Sequence, residues 1–108
     1  MEIKIKPLRP AHKEKKRYIA MEVMGNTSKS ALIMAMNKAL LDYLGELGLA
    51  QAGAFPLPET YTKDGIVVRT AHNYVDHVKA AFTMTDGIIL QTKGVSGLIS
   101  KAKALIGG

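Results

Sequence analysis

The chain has 108 residues, no cysteine, and 15 Lys and Arg against 9 Asp and Glu, for a formal charge of +6 and a sequence pI of about 9.7. That length makes one domain with a single sizeable core, and the lack of cysteine excludes a disulfide framework and thiolate metal sites. No apolar run approaches the ~20 residues of a bilayer span, and no apolar segment follows the basic start, so the expectation is a soluble cytoplasmic domain with no membrane partner. The charge is uneven. Lys4, Lys6, Arg9, Lys13, Lys15, Lys16 and Arg17 fall in the first seventeen positions, opposed there by Glu2 and Glu14 alone, a local +5 (seven basic less two acidic). A basic arm on a nearly neutral body implies a polyanionic partner, nucleic acid before anionic membrane.

Residues 1–16 read as an extended arm, because Pro7 and Pro10 block helix and like charges repel. Residues 17–24 alternate, with Ile19, Met21 and Val23 on one side and Tyr18, Ala20 and Glu22 on the other, as in a half-buried strand. Asn26, Thr27 or Ser28 can cap a helix in which Ile33, Met36, Leu40, Tyr43 or Leu44, and Leu47 recur at three and four. Gly45 and Gly48 soften its end, with Gly48 the better stop. Residues 49–57 are expected to form a second strand, ended or confined to an edge by Pro56 and Pro58. Residues 58–65 are a turn closing on Asp64-Gly65, a hairpin signal, and 66–70 a β-branched third strand. Asn73 can cap a second helix that stacks Tyr74, Val78 and Phe82. Asp86-Gly87 turns the chain into a fourth strand over 88–93. Gly94-Val95-Ser96-Gly97 then leads to a last helix carrying Leu98, Ile99, Ala102, Leu105 and Ile106 on one face.

The order strand, helix, strand, strand, helix, strand, helix predicts an α+β fold. It is the ferredoxin-like or RNA-recognition-like split βαβ pattern, an antiparallel βαββαβ sheet with an extra C-terminal helix. The division is an arm at 1–16 and a single domain at 17–108. The third helix either covers the sheet's open face or extends the helical layer.

No catalytic constellation is evident. His72 and His77, five apart, do not share a helix face, and His12 stands in the arm. No carboxylate pair joins them, and neither a P-loop nor a GxGxxG motif occurs. The expectation is no catalytic residue and no metal site. Tyr18 either stacks on a base or caps the sheet edge. The third strand has no aromatic, so RNA binding would depend on shape and phosphates more than on bases. Two glycines bracket Ser96, which reads either as a capping serine in a phosphate site at a helix start or as an ordinary connection; Lys93, Lys101 and Lys103 favour the first. Phe55 and Leu57 beside two prolines read either as an apolar edge for a protein partner or, for Phe55, as core.

Several stretches together carry a resemblance. Leu8-Arg9-Pro10, Lys16-Arg17-Tyr18-Ile19-Ala20 with Val23, Ala50-Gln51-Ala52-Gly53, Gly65-Ile66-Val67-Val68-Arg69, Tyr74-Val75-Asp76-His77-Val78-Lys79-Ala80-Ala81 and Gly94-Val95-Ser96-Gly97 resemble the archaeal ribonuclease P protein component 2 family, relatives of the eukaryotic Pop-five subunit. The order and spacing fit along nearly the whole chain and depart at residues 56–64. The resemblance implies a protein subunit of the endoribonuclease that removes 5′ leaders from precursor tRNA. In it, the RNA subunit performs the hydrolysis with bound Mg²⁺ and this chain binds no cofactor. Implied partners are the catalytic RNA, precursor tRNA indirectly, and ribonuclease P protein component 3 in a heterotetramer.

The residues expected on RNA are Arg9, Lys13, Lys15, Lys16 and Arg17, then Lys93, Ser96 and Gly97, with Lys101 and Lys103 behind them. The competing readings are a ferredoxin-like small-molecule-binding or regulatory domain with a basic tail, and an enzyme using His72 or His77. If about five arm residues each neutralise one phosphate, log K for RNA falls against log salt with a slope of about −3.5 to −4.5 from the arm alone, measurable by titration across salt concentrations.

Overall fold

The computed structural model describes residues 15–25, 27–85 and 87–106. Its elements are β1 (Lys16–Met24), α1 (Lys29–Ala52), β2 (Phe55–Thr62), β3 (Gly65–Ala71), α2 (Val75–Ala81), β4 (Ile89–Ser96) and α3 (Ile99–Leu105), with 3₁₀ turns at His72–Tyr74 and Phe82–Met84. The four strands form one antiparallel sheet in the order β2-β3-β1-β4. This is the ferredoxin-like split βαβ topology expected of the element order.

Strand β1 pairs along both edges and buries both faces. Ile19, Met21 and Val23 point to the helical layer, where they meet Leu32, Met36 and Leu40 of α1, Val78 and Ala81 of α2, and Phe82. The opposite face holds a second cluster of Ala20, Leu57, Val67, Ala102 and Ile106, with Tyr18 packed against it. Helix α3 therefore covers the face that a bare split βαβ sheet leaves open. Small residues make the approach possible. A Cβ at Gly65 would run into the Met21 carbonyl oxygen and come within 3.1 Å of Ile106 Cγ2, and one at Gly94 would sit 2.7 Å from Leu105 Cδ1. Gly65 thus serves close packing, and its φ is not positive. The hairpin is closed instead by Thr62, whose Oγ1 accepts from the amides of Asp64 and Gly65 at 3.1 and 3.2 Å.

Several boundaries differ from the sequence expectation. Ser28 is the N-cap of α1, its hydroxyl accepting from the Ala31 amide at 3.2 Å; of the other candidates, Asn26 lies outside the described residues. The helix breaks at Gly45 (φ 75°, ψ 171°), resumes, and stops at Gly53 in the left-handed region (φ 57°) rather than at Gly48. Leu49, Ala50, Gln51 and Ala52 are helical, not the start of a strand, because each is a sound helix former and Gly53 can adopt the αL cap. Strand β2 is consequently shifted to Phe55–Thr62, through the segment expected to be a turn. It holds Pro56 and Pro58 because it is an edge strand. Its pairing with β3 is interrupted between Leu57 and Thr62. There the buried Thr60 hydroxyl donates to the Leu57 carbonyl at 2.7 Å and accepts from the Val67 amide at 2.9 Å.

Asn73 does not cap α2: it sits in the preceding 3₁₀ turn, and the N-cap position falls to Tyr74 without a side-chain bond. Strand β4 extends to Ser96, past the expected end at residue 93, since Gly94, Val95 and Ser96 pair with Ala20, Ile19 and Tyr18. The turn residue Asp86 and the glycines at 107 and 108 lie outside the described residues. In α3 only Ala102, with Ile106 just beyond the helix, is buried; Leu98, Ile99 and Leu105 remain partly exposed.

Thr60→Val is expected to cost about 1–3 kcal/mol by stranding the Val67 amide, and Gly65→Ala at least about 1–3 kcal/mol by overpacking. Thermal melts check both, at about 4–8 °C per kcal/mol for a domain of this size; Ser100→Ala, on an exposed position of α3, serves as the neutral control.

Candidate nucleic-acid interface

The interface is built where the basic run enters the sheet. The amide of His72 donates to the Lys15 carbonyl at 2.8 Å, which carries the β1–β3 pairing one residue beyond Lys16 and holds Lys15 against the body. Arg17 is half-buried, and its Nη1 donates to the Lys16 carbonyl at 3.0 Å. Because β1 and β4 are neighbours and Tyr18 pairs with Ser96, residues 15–17 lie at the same end of the sheet as Ser96 and Gly97. The position a Cβ would occupy at Gly97 is 3.5 Å from Arg17 Nη1. The end of the arm and the β4–α3 connection, eighty residues apart in sequence, are thus in contact.

The expected groups are not all at this place. Arg9 and Lys13 lie outside the described residues. Ser96 is not the cap of the last helix: it is the final residue of β4, its hydroxyl accepts from the Leu98 amide at 3.1 Å, and the N-cap position belongs to Leu98, which has no side-chain bond. Helix α3 is seven residues long, too short for its N-terminus to argue for a phosphate site. Gly94 is inside the strand, under Leu105, and not in a loop. Lys93 is the extra residue of a β-bulge opposite Ala20 and Met21, where its ammonium lies 3.8 Å from Glu22. It lines a small depression of about 140 Å³ with Glu22 and Asp64, so carboxylates offset its charge there. Lys101 and Lys103 are exposed on either side of the buried Ala102.

Tyr18 is on an interior strand, so it does not cap a sheet edge; its ring is half-buried against the outer cluster. Leu57 is 8% exposed within that same cluster, which removes it as part of an open apolar edge. Phe55 remains 41% exposed and is not core. The guanidinium carbon of Arg69 stands 5.7 Å from its ring centroid, a cation–π distance. Sequence reasoning passed over Arg69. The signal that could have found it is the alternation of β3, which places Arg69 on the same side as Val67 and Tyr18.

The histidines stay apart in role. His72 is exposed in the turn after β3, and His77 lies on α2, its ring centroid 5.3 Å from that of Tyr74. Among the described residues, no group of three His, Cys, Asp or Glu side chains is placed to hold a metal ion. A second depression of about 290 Å³, lined by Phe82, Thr83, Thr85, Ile88, Ile89 and Leu90, is open and mixed in polarity. Both depressions fall below the roughly 300–1,000 Å³ usual for small-molecule sites. Among the described residues no helix is long and apolar enough to cross a membrane.

The profile of the Rpp14/Pop5 family matches residues 17–106, most of the chain. The chain belongs to the Rpp14/Pop5 family. It is 35% identical to ribonuclease P protein component 2 of Pyrococcus abyssi, over 94% of this chain and 92% of that protein. It is 34% identical to the Thermococcus kodakarensis protein of the same name, over 95% and 92%. The Methanocaldococcus jannaschii protein is 31% identical, over 92% and 78%. A chain in the cryo-EM structure of yeast ribonuclease MRP has the same fold, with a TM-score of 0.52 at 12% identity over 84% of this chain and 85% of that one. The resemblance read from the sequence stretches therefore holds.

Within the Rpp14/Pop5 match fall Arg17, Arg69, Lys93, Ser96, Gly97, Lys101 and Lys103; Arg9, Lys13, Lys15 and Lys16 precede it. Replacing Lys15, Lys16 and Arg17 together by Gln is expected to make the salt slope of RNA binding shallower by about 2–2.7, at 0.7–0.9 per lost phosphate contact. The Lys93→Gln variant should move it much less, because Glu22 already offsets that charge. Titrations of both variants over a range of salt concentrations check this.

Proposed function

We propose that this protein is a noncatalytic, RNA-binding subunit of ribonuclease P, assisting a catalytic RNA in removing the 5′ leader from precursor tRNA. The observation that carries the reading is the meeting of Arg17, at the end of the basic run, with the Ser96–Gly97 connection, in a chain whose family relatives are named ribonuclease P protein component 2. Basic side chains held at the end of an interior strand by backbone pairing present charge in a fixed geometry. That geometry suits the phosphates of a folded RNA better than a mobile tail would.

On this reading, the chain positions and does not react. Hydrolysis belongs to the RNA subunit with its Mg²⁺, this chain binds no cofactor, and the particle as a whole is the endoribonuclease. Arg9, Lys13, Lys15, Lys16 and Arg17 supply phosphate contacts, with Lys101 and Lys103 adding charge from α3. The partners are the catalytic RNA directly, precursor tRNA through it, and protein component 3 in a heterotetramer, acting in the cytoplasm. Neutralising RNA charge lowers the Mg²⁺ that a catalytic RNA needs in order to fold, so the protein's effect is greatest when Mg²⁺ is limiting.

Reconstitution tests this. Added with component 3 to the RNA subunit at moderate Mg²⁺, the protein should raise the rate of precursor tRNA cleavage, with the gain shrinking as Mg²⁺ is increased. No gain at any Mg²⁺ concentration would overturn the assignment.

A further inference from the structure

The strand registers align four residues in one straight row across the sheet. Phe55 pairs with Arg69, Arg69 with Tyr18, and Tyr18 with Ser96. Two residues along each strand lies the next row, Leu57, Val67, Ala20 and Gly94. Helix α3 closes over that second row, with Ala102 in the same buried cluster as Ala20, Leu57 and Val67, and Leu105 over Gly94. The first row is left at the lip of the helix. Phe55 there is 41% exposed, and Leu98, just before the helix, is 55% exposed.

Arg69 gives the row its chemistry. Its guanidinium stands 5.7 Å from the Phe55 ring centroid, and its Nε is buried with no hydrogen-bond partner. That nitrogen is shut off from solvent, which marks a guanidinium packed against the sheet beside the Phe55 ring. No carboxylate belongs to the row, and the basic end of β1 is next to it: Lys15 and Arg17 precede Tyr18 at the same end of the sheet, with side chains that start on the opposite face. A phosphate alone would use the charges but not the rings. A partly exposed aromatic ring beside a guanidinium plane, close to the basic end of a strand, suits a planar base attached to a polyanionic backbone. Bases in a duplex present no free face, so the ligand is an unpaired nucleotide.

We infer that the Phe55–Arg69–Tyr18 row is a stacking platform for an unpaired nucleobase of RNA, with the base on the Phe55 ring, Arg69 beneath or beside it, and flanking phosphates on Lys15 and Arg17. The inference rests on the proposed RNA-binding role and refines it, from phosphate contact alone to phosphate contact plus one stacked base. The sequence marks Phe55 as an apolar edge for a protein partner or as core; its place in one row with Arg69 and Tyr18 comes from the strand registers.

The test compares a short single-stranded RNA with the same strand carrying one abasic position, scanned along its length, binding to the full chain. At one position, loss of the base should weaken binding to the wild-type protein at least about fivefold, the lower bound for loss of one stacked base. In the Phe55→Leu variant that ratio should fall to near one while the salt slope stays as in the wild type; Phe55→Tyr should restore it. Arg69→Lys, which keeps the charge and loses the plane, should also lower the ratio. The triple Gln variant at Lys15, Lys16 and Arg17 should do the reverse, flattening the slope and keeping the ratio. Circular dichroism confirms that each variant is folded. If the wild type binds both strands equally at every position with a normal salt slope, the platform is wrong and the RNA-binding role stands. If it binds no RNA at all, both fall. A base preference that survives in both Phe55→Leu and Arg69→Lys would place the base elsewhere and overturn the assignment.

Discussion

Strand β1 is hydrogen-bonded along both edges, to β3 over residues 16–22 and to β4 over residues 18–24, and nearly every other feature of the molecule follows from that constraint. Where layers cover both sides an interior strand has to be apolar on both faces, and β1 manages this at its middle with large residues toward one layer and Ala20 toward the other, flanked by half-buried Tyr18 and Glu22. Ile19, Met21 and Val23 fill the space under α1 and α2, while Ala20 leaves room for Ala102 of α3. Glycines extend the same device to β3 and β4: Gly65 lets the sheet meet Ile106 and the Met21 carbonyl closely, and Gly94 lies under Leu105. The outer helix is thus seated by a strip of missing side chains.

The same strand carries the end of the basic run. Because β1 is central, the Lys15–Arg17 segment cannot drift as a tail would. The bond from His72 to the Lys15 carbonyl and the pairing of Tyr18 with Ser96 hold it beside the β4–α3 connection. Lys93, only a few residues from that connection, is displaced from it by a bulge and lies beside Glu22 instead. Nearness in sequence and nearness in space therefore part company here: Arg17 and Gly97 meet across eighty residues, while Lys93, four residues from Gly97, lies beside Glu22.

A noncatalytic protein subunit of ribonuclease P needs position rather than reactivity, and the molecule is built accordingly. Its buried and half-buried threonine hydroxyls are used to repair the backbone. Thr60 bridges the ladder where Pro58 interrupts it, Thr62 closes the hairpin, and Thr70 donates to the Ala52 carbonyl at the end of α1. Against that background the partnerless Nε of Arg69 stands apart, and it is on the outer face, where the sheet is only partly covered. The covering helix removes one row of the sheet from use and leaves one row at its edge, so α3 sets the size of what can bind.

Much of the architecture was legible because it is written in periodicity. The alternation around Ile19, Met21 and Val23, the helical recurrence around Met36 and Leu40, and the element order together determine a split βαβ sheet and its helical layer, and the charge count by itself locates a basic entry to β1. Where reading failed, two local rules competed. Gly48 and Gly53 are both fair helix stops, and the αL cap at Gly53 together with the burial of Ala52 goes with the second; the strand after it moves accordingly, carrying Leu57 inward and leaving Phe55 out. Ser96 looked like a cap because hydroxyl-before-helix is a local pattern, but pairing with Tyr18 keeps it in the strand. What tertiary structure alone decided is adjacency. Which strand lies beside which, which face the last helix takes, and therefore that Arg17 meets Gly97 and that Phe55, Arg69 and Tyr18 form one row, depend on hydrogen-bond register between segments far apart in the chain, and register is a property of pairs of strands that no single stretch of sequence contains.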